Sequence, residues 1–191
     1  GSVSKRSNGP DSAENEARMQ AHLRSAEIEI VTVLARAQAH RDPYTSDHQD
    51  RVAKLAVSIG RQMGMRGIQL KNLELGARIH DIGKLDIPSD ILSKPGALTP
   101  QEYDLIKTHS AMGSDIVASA ILSPVIQDII LHHHERWDGT GYPDGLVGTE
   151  ISLESRIVAV ADTLESITSH RPYRPGRGLR IALDIIREEK G

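Results

Sequence analysis

Apolar residues recur at intervals of three and four along most of this 191-residue chain, which is the spacing of one face of an α-helix. From about Ala17 to Gln38 the pattern predicts an amphipathic lead helix, with Leu23, Val31 and Leu34 among its apolar positions. No segment alternates between apolar and polar residues for long enough to predict a sheet. The predicted fold class is therefore all-α, a helical bundle preceded by the lead helix.

Six further helices are predicted downstream, and two of them have a clear start signal. Ser46 with Gln49, and Thr99 with Glu102, have the spacing of a capping box. In this motif the side chain of each residue accepts a hydrogen bond from the backbone N–H of the other. The six are a helix from Ser46 to Gly64, one whose apolar face runs from Leu70 through His80 to Lys84, one from Thr99 to Ala120, one from Ile126 through His134, one around Ile157 to Leu164, and a short one around Ile181 to Ile186.

Composition divides the chain into three segments. Residues 1–14 are rich in serine, glycine and charge without an apolar period, which predicts a tag followed by a disordered linker. Residues 15–41 carry the lead helix, which we expect to pair with a copy of itself in a homodimer. Residues 42–191 are long enough to form one domain with its own core.

Charge and cysteine content narrow the classes of function. The chain has no cysteine, which excludes disulfides and thiolate metal sites and leaves His, Asp and Glu as the strong side-chain ligands. The net charge of −3 does not suit a protein that binds a nucleic-acid duplex. No stretch reaches the length of a membrane span and no signal peptide is evident, so we expect a cytoplasmic protein.

Five of the nine histidines fall on the predicted inward faces of four helices: His48, His80, His109, His133 and His134. A single histidine on an apolar face is most often structural, but five would be costly to bury without partners, and a metal satisfies them together. Asp81 and Asp162 add carboxylates, and the seven ligands divide into two sites if Asp81 bridges metals roughly 3.5–4 Å apart. The other four histidines, His22, His40, His132 and His170, are predicted to lie at the surface.

Separated motifs extend over roughly residues 45 to 190. They include His80-Asp81-Ile82-Gly83-Lys84, Lys107-x-His109, the run from His133-His134-Glu135 to Gly141-Tyr142-Pro143, Asp162, and Arg171-Pro172-Tyr173-Arg174. In this combination they resemble the HD-GYP domain family. The resemblance implies an HD-type helical bundle that acts as a metal-dependent phosphodiesterase on the bacterial second messenger cyclic di-GMP. The implied product is linear pGpG, with onward cleavage to GMP left open.

The resemblance also implies roles for individual residues. It gives one metal the ligands His48, His80, Asp81 and Asp162, and the other metal the ligands Asp81, His109, His133 and His134. Asp81 and Lys84 become catalytic residues, with the Lys84 ammonium meeting the substrate phosphate or the leaving oxygen. Substrate contacts are implied for Lys84, Asp138, Gly141, Tyr142, Arg171 and Arg174. The implied cofactors are two divalent metal ions, Fe or Mn first, with Zn, Ni and Co also compatible with nitrogen and oxygen ligands.

Several positions depart from the family pattern. Tyr44 stands where relatives with a third metal have a glutamate, so we expect two metals. Glu165 replaces an aspartate, and residues 175–178 replace a helical continuation. The chain ends at Gly191, where family members continue, so we expect a C-terminal truncation. The lead helix further suggests that an upstream regulatory domain has been removed and that the chain is the effector of a bacterial signalling protein.

Two other functions are compatible with the sequence. The first is a non-catalytic module that binds a cyclic dinucleotide and reports its presence to a partner. The second is an HD-type phosphohydrolase that acts on another nucleotide. The intact set of seven ligands favours an enzyme over the binding module, because a degenerate member is expected to lose His80, Asp81 or the histidine pair.

Overall fold

The computed structural model describes residues 10–41, 43–169, 176 and 178–188. Within these residues the regular elements are helical, apart from one β-bridge between Asp138 and Val147, so the all-α prediction is confirmed. The α-helices are α1 (Pro10–Arg41), α2 (Pro43–Gln62), α3 (Ile68–Ile79), α4 (Ser89–Leu92), α5 (Pro100–Lys107), α6 (His109–Ala118), α7 (Pro124–His132), α8 (Leu153–Thr168) and α9 (Leu179–Glu188). Two short 3₁₀ turns span Ile82–Asp86 and Gly148–Glu150.

The two predicted capping boxes have different outcomes. At the start of α5, the N–H of Glu102 donates to Thr99 Oγ1 (3.2 Å) and the N–H of Thr99 donates to Glu102 Oε2 (2.7 Å), so this box is confirmed. The box at Ser46 is wrong, because α2 already begins at Pro43. Proline suits the first turn of a helix, where its missing N–H would have no partner within the helix.

Two helices that the sequence predicts as continuous are divided in the structure. α3 ends at Ile79, and the chain then enters the 3₁₀ turn, in which the N–H of Lys84 donates to the carbonyl of Asp81 (2.9 Å). The helix predicted from Thr99 to Ala120 is divided at Thr108 into α5 and α6. Both divisions stand directly beside a histidine of the predicted metal site, His80 in one case and His109 in the other.

Two groups of apolar side chains form the core, and α3 and α7 contribute to both. Leu73 and Ile129 belong to the first group, whereas Ile79 and Ile130 belong to the second. These four side chains are fully buried, and burial of each stabilises the fold by about 1.5–3 kcal/mol. The two central helices are thus fixed by packing along their length, and each ends at predicted metal ligands.

Gly83 allows the first 3₁₀ turn to lie directly against α6. A Cβ atom at this position would stand 1.9 Å from the carbonyl oxygen of His109 and 2.5 Å from the amide nitrogen of Gly113. No side chain fits at such distances, so backbone contact between the two elements depends on glycine. This contact places the segment of Asp81 beside the first turn of α6.

The C-terminal part of α1 packs on the domain, whereas its N-terminal part is exposed. Val31 is buried in the second core group, with Leu34 and Ala35 packed against it. All side chains from residue 13 to residue 25 are exposed. None of the helices in the described part of the chain combines the length and the apolar character needed to cross a bilayer.

Candidate metal centre

The seven predicted ligands converge on one place in the bundle, in two adjoining groups. The first group is His48, His80 and Asp162, and the second is Asp81, His109, His133 and His134. Within each group the candidate ligand atoms lie within 4.8 Å of one another. The members come from α2, α6 and α8 and from the chain directly after α3 and α7, so tertiary packing alone brings them together.

The Asp81 carboxylate lies between the two groups. Its Oδ2 atom is 3.5 Å from Nε2 of His80 in the first group. Its Oδ1 atom is 3.3 Å from Nε2 of His109 and 3.8 Å from Nε2 of His133, both in the second group. Each carboxylate oxygen therefore faces a different group, which is the arrangement required of a carboxylate that bridges two cations.

Three of the histidines are oriented by bonds from their Nδ1 atoms to backbone carbonyls. The acceptors are Ala77 for His80 (2.8 Å), Ile106 for His109 (2.7 Å) and Ile130 for His133 (2.9 Å). A carbonyl can only accept, so each Nδ1 carries a proton, and in the neutral form of the ring Nε2 then presents a lone pair. Ring orientation by such a bond is typical of histidines that bind metal through the other nitrogen.

Two buried polar atoms at the centre lack a hydrogen-bond partner among the described residues, namely Nε2 of His80 and Oδ1 of Asp81. Leaving such atoms buried and unpaired costs free energy, because both lose their hydration when the chain folds. A divalent cation in the first group would satisfy Nε2 of His80, and one in the second group would satisfy Oδ1 of Asp81. The donor set, imidazole nitrogens with carboxylate oxygens, is also the set that borderline divalent metals accept, so the residues present fit a metal.

Three members of the second group, His133, His134 and Asp81, are held in the protonation states that metal binding requires. Burial lowers the pKa of His133 well below its usual value and lowers that of His134 to about 3, with neighbouring histidines adding to the effect. Burial by itself raises the pKa of Asp81, but the Lys84 ammonium and the nearby imidazoles outweigh it and keep the pKa well below its usual value. Neutral imidazoles and an ionised carboxylate are the forms that bind cations.

The first group differs, because its histidine lies between two carboxylates. Burial lowers the pKa of His48, but hydrogen bonds to Asp162 and Glu165 outweigh it and raise the pKa to about 9. His48 Nε2 is 3.0 Å from Asp162 Oδ1, and His48 Nδ1 bonds Glu165. A cation entering this group would therefore displace a proton from His48.

Sequence reasoning missed the part played by Glu165, which it noted only as the replacement of an aspartate. The side chain is buried, binds His48, and accepts from Arg51 Nε (2.6 Å) and from the Ser169 hydroxyl. A carboxylate behind a ligating histidine fixes the ring and raises its basicity. The signal was its spacing, because Glu165 follows Asp162 by three residues and so shares its helix face.

The loop after α7 is held by a second carboxylate that the sequence analysis did not single out. Glu135 is 5% exposed and accepts three backbone N–H bonds, from Asp144 (2.7 Å), Gly145 (3.0 Å) and Leu146 (3.0 Å). Bonds to an ionised acceptor are stronger than neutral ones. Because Glu135 follows His134 directly, its bonds connect the loop to the second group of candidate ligands.

Gly141 and Tyr142 lie against the second group of ligands. The Tyr142 ring stacks on the His134 ring, with 4.8 Å between centroids and 29° between planes. A Cβ on Gly141 would stand 2.3 Å from the amide nitrogen of Arg136 and 2.6 Å from the carbonyl oxygen of His134, so this close approach needs glycine. The loop therefore covers the His134 side of the centre, with Tyr142 as its contact.

The remaining predicted residues have different outcomes. Lys84 lies at the centre, with Nζ 2.6 Å from Asp81 Oδ2. Asp138 is exposed and accepts from the N–H (2.9 Å) and hydroxyl (2.6 Å) of Thr140, so its carboxylate stabilises the turn of its own loop. Arg171 and Arg174 lie outside the described residues, as do the side chain of Tyr44 and His170.

The surface prediction for the other histidines is only partly right. His22 and His40 are exposed. His132 is half-buried, with Nδ1 at 2.8 Å from Asp128 and Nε2 at 3.0 Å from Asp144. It therefore joins α7 to the loop. The sequence did not indicate this, because Asp144 is twelve residues away along an irregular segment.

If the seven ligands hold cations, Mn²⁺ should stabilise the protein against heat. Ligands from several elements are joined only in the folded state, so free metal at about 100 times its Kd should add about 2.7 kcal/mol to the free energy of unfolding. Differential scanning fluorimetry with and without Mn²⁺ measures the effect. Asp81→Asn should lose most of the stabilisation and His22→Ala should keep it; an equal shift in all three proteins would contradict the site.

Replacement of Glu135 by glutamine should loosen the loop that covers His134. The amide loses the charge that three N–H groups share, at a cost of about 1.5–3 kcal/mol. Hydrogen–deuterium exchange at the amides of Asp144, Gly145 and Leu146 should become faster. Glu154→Gln on α8 is the matched control, and exchange that is equally slow in both variants would show that Glu135 does not hold the loop.

The chain is similar in sequence to proteins of one known family. The chain matches the HD domain family over residues 32–191. A cyclic di-GMP phosphodiesterase of Thermotoga maritima is 40% identical over 86% of this chain and 45% of its own length. The cyclic di-GMP phosphodiesterase response regulator RpfG of Xanthomonas campestris is 40% identical over 86% of this chain and 44% of its own. The 3′3′-cGAMP-specific phosphodiesterase 1 of Vibrio cholerae is 36% identical over 85% of this chain and 38% of its own length. The chain thus spans less than half the length of these relatives.

Solved structures agree in fold. The HD domain of the L. monocytogenes phosphodiesterase PgpH, solved in complex with cyclic-di-AMP, is similar with a TM-score of 0.63 at 23% identity, over 82% of each chain. Bd1817, an HDG"Y"P protein from Bdellovibrio bacteriovorus, has a TM-score of 0.63 at 23% identity, over 74% of this chain and 45% of its own. With the family match over residues 32–191 and the motifs around His80, His133 and Tyr142, the chain belongs to the HD domain family, in its HD-GYP branch.

Proposed function

We propose that the protein is a metal-dependent phosphodiesterase that hydrolyses cyclic di-GMP to linear pGpG, with onward cleavage to GMP left open. The observation that carries the proposal is the position of the Asp81 carboxylate, with one oxygen facing each group of histidines. Relatives named as cyclic di-GMP phosphodiesterases at 40% identity support the substrate. The proposal concerns a chain that spans less than half of those relatives.

Two divalent cations are the cofactors in this proposal, with Fe or Mn favoured and Zn, Ni or Co also accepted by the same ligands. One would be held by His48, His80, Asp81 and Asp162, and the other by Asp81, His109, His133 and His134. Bound divalent cations activate water for attack on phosphorus and neutralise phosphate charge. The orphaned Nε2 of His80 and Oδ1 of Asp81 support the assignment, because both face the space between the ligands and lack other partners among the described residues.

The side chain of Lys84 is suited to bind the substrate phosphate. About one third of the side chain is exposed, and the ammonium lies 2.6 Å from Asp81 Oδ2. A cation at Asp81 would compete with this ion pair and free the ammonium for a phosphate oxygen. Charge placed where negative charge develops lowers the barrier to phosphoryl chemistry, so Lys84 would assist the non-bridging or the leaving oxygen.

Tyr142 offers an aromatic surface beside His134, in the second group of candidate ligands. Burial raises the pKa of its hydroxyl, so the group stays neutral and can donate a hydrogen bond. Gly141 brings the ring close to His134, and Asp138 keeps the turn before it in shape. In the proposal Tyr142 contacts the substrate, whereas Asp138 and Gly141 act by shaping the loop. Arg171 and Arg174 would add contacts to the substrate phosphate.

The hydrolysis assay tests the proposal directly. Protein loaded with Mn²⁺, or with Fe²⁺ under anaerobic conditions, is incubated with cyclic di-GMP, and the products are separated by chromatography. His80→Ala and Asp81→Asn should lower kcat/KM well beyond the roughly 10–100-fold typical of groups that only support a ligand. His22→Ala, an exposed histidine on α1, should retain the wild-type rate.

Two outcomes would replace the proposal with one of its alternatives. Tight binding of cyclic di-GMP by metal-loaded protein without any product would favour the regulatory binding module. Faster turnover of 3′3′-cGAMP than of cyclic di-GMP would favour the second candidate, which the 36% identical relative from Vibrio cholerae supports. Equal turnover by the wild type, His80→Ala and Asp81→Asn would rule out the metal centre as the source of activity.

We also propose that α1 joins two copies of the chain. Its outer face carries Met19, Leu23, Ala26, Ile30 and Val33, spaced alternately by four and three residues as in a two-stranded coiled coil. Met19 is 62%, Leu23 43% and Val33 64% exposed. An isolated helix with such a face is marginal in water, so a partner helix would stabilise it. A preceding regulatory domain, as the name response regulator implies for one relative, would connect to this helix.

The dimer has its own test. Light scattering should give twice the mass of one chain for the wild type. Leu23→Glu, which places a charge on the apolar face, should give the mass of a single chain, whereas Arg24→Glu on the neighbouring face should remain dimeric. A single-chain mass for the wild type at micromolar concentration would contradict the proposal.

A further inference from the structure

The last turn of α1 holds both ends of the segment that carries Asp81 and Lys84. Near the start of the segment, Nε2 of Gln38 donates to the carbonyl oxygen of Asp81 (3.0 Å). At its end, Nη2 of Arg41 donates to the carbonyl oxygen of Ile87 (2.5 Å) and reaches Ser89 Oγ (3.4 Å). One helical turn thus bonds the backbone on each side of the 3₁₀ turn Ile82–Asp86.

Gln38 is a costly residue for its position. It is 3% exposed and follows Val31, Leu34 and Ala35 on the face of α1 that packs on the core. Its Oε1 atom is buried without a hydrogen-bond partner among the described residues. An apolar side chain would avoid this unpaired acceptor, so packing alone does not account for an amide here. What the amide adds is its bond to Asp81.

That bond completes the hydrogen bonding of the Asp81 carbonyl. The same oxygen accepts from the N–H of Lys84 (2.9 Å), so both of its lone pairs are used. The N–H of Ile87 donates in turn to the carbonyl of Lys84 (3.2 Å). These bonds hold the backbone of Asp81 at the point from which its carboxylate reaches both groups of histidines.

We propose that Gln38 is a positioning residue of the metal centre, which fixes the backbone of Asp81 so that its carboxylate stays between the two histidine groups. Arg41 fixes the other end of the same segment. The inference rests on the proposed metal centre and goes beyond it, because it makes the lead helix part of the centre although α1 supplies no ligand. Gln38 acts only through Asp81 and does not touch the reacting atoms.

Gln38→Met tests the inference, because methionine keeps the length and flexibility of glutamine and removes the donor. The control is Leu34→Ala, one turn earlier on α1, which weakens packing of the same helix without contacting Asp81. Each protein is measured for its melting temperature without metal, for Mn²⁺ affinity by electron paramagnetic resonance, and for the visible absorption of its Co²⁺ form, which reports ligand geometry.

Gln38→Met should weaken Mn²⁺ binding about 10-fold or more, the range found for groups that orient a metal ligand. It should also change the Co²⁺ spectrum and lower kcat with little change in KM. Leu34→Ala should lower the melting temperature and leave metal affinity and spectrum at wild-type values. Wild-type metal affinity in Gln38→Met, or an equal loss in Leu34→Ala, would overturn the positioning role.

A second variant keeps the test decisive if Gln38→Met does not fold. Arg41→Met removes the bond to Ile87 from an exposed side chain and should weaken Mn²⁺ binding by a smaller factor in the same direction; no change would overturn the inference. A wild-type protein that binds no Mn²⁺ would instead overturn the proposed function, so the two failures are distinguishable.

Discussion

The structure depends on the burial of imidazole nitrogens and carboxylate oxygens that face one another without enough hydrogen donors between them. Nε2 of His80 and Oδ1 of Asp81 have lost water and found no other hydrogen-bond partner in the described chain. Such an arrangement opposes folding unless something else contributes to its stability. Packing of α3 and α7 in both core groups supplies that contribution. The free energy of apolar burial thus offsets the cost of burying these polar side chains close together.

Periodicity predicted the helices and the side chains that converge at the candidate metal centre, because the same rule governs both. A histidine that continues an apolar face points inward for the reason a leucine does, and His48, His80 and His109 were found in this way. Periodicity failed where helices stop. The apolar spacing continues across Asp81 and across Thr108. The local pattern therefore does not indicate the 3₁₀ turn Ile82–Asp86 or the division between α5 and α6.

The partners of the charged residues that support the candidate ligands could not be predicted from the sequence, although the spacing of Glu165 from Asp162 indicated a shared helix face. In the sequence Glu135 and Glu165 resemble ordinary surface carboxylates, because most glutamate side chains in folded proteins are exposed. Their partners are backbone N–H groups of an irregular loop in one case and residues more than a hundred positions away in the other. Tertiary contacts of this kind do not follow any regular spacing along the sequence. The contact of Gln38 with Asp81 was missed for the same reason, although its helix was predicted.

Gly83 shows why a list of ligands is an incomplete description of such a centre. It contributes no atom to any metal, yet a single methyl group there would collide with the His109 carbonyl and push the Asp81 segment off α6. A homologue in which this glycine is replaced could therefore keep all seven candidate ligands and still lack the geometry of the proposed centre. Surveys that sort active from degenerate relatives by their histidines and aspartates alone would misclassify it, and the glycine belongs among the diagnostic positions.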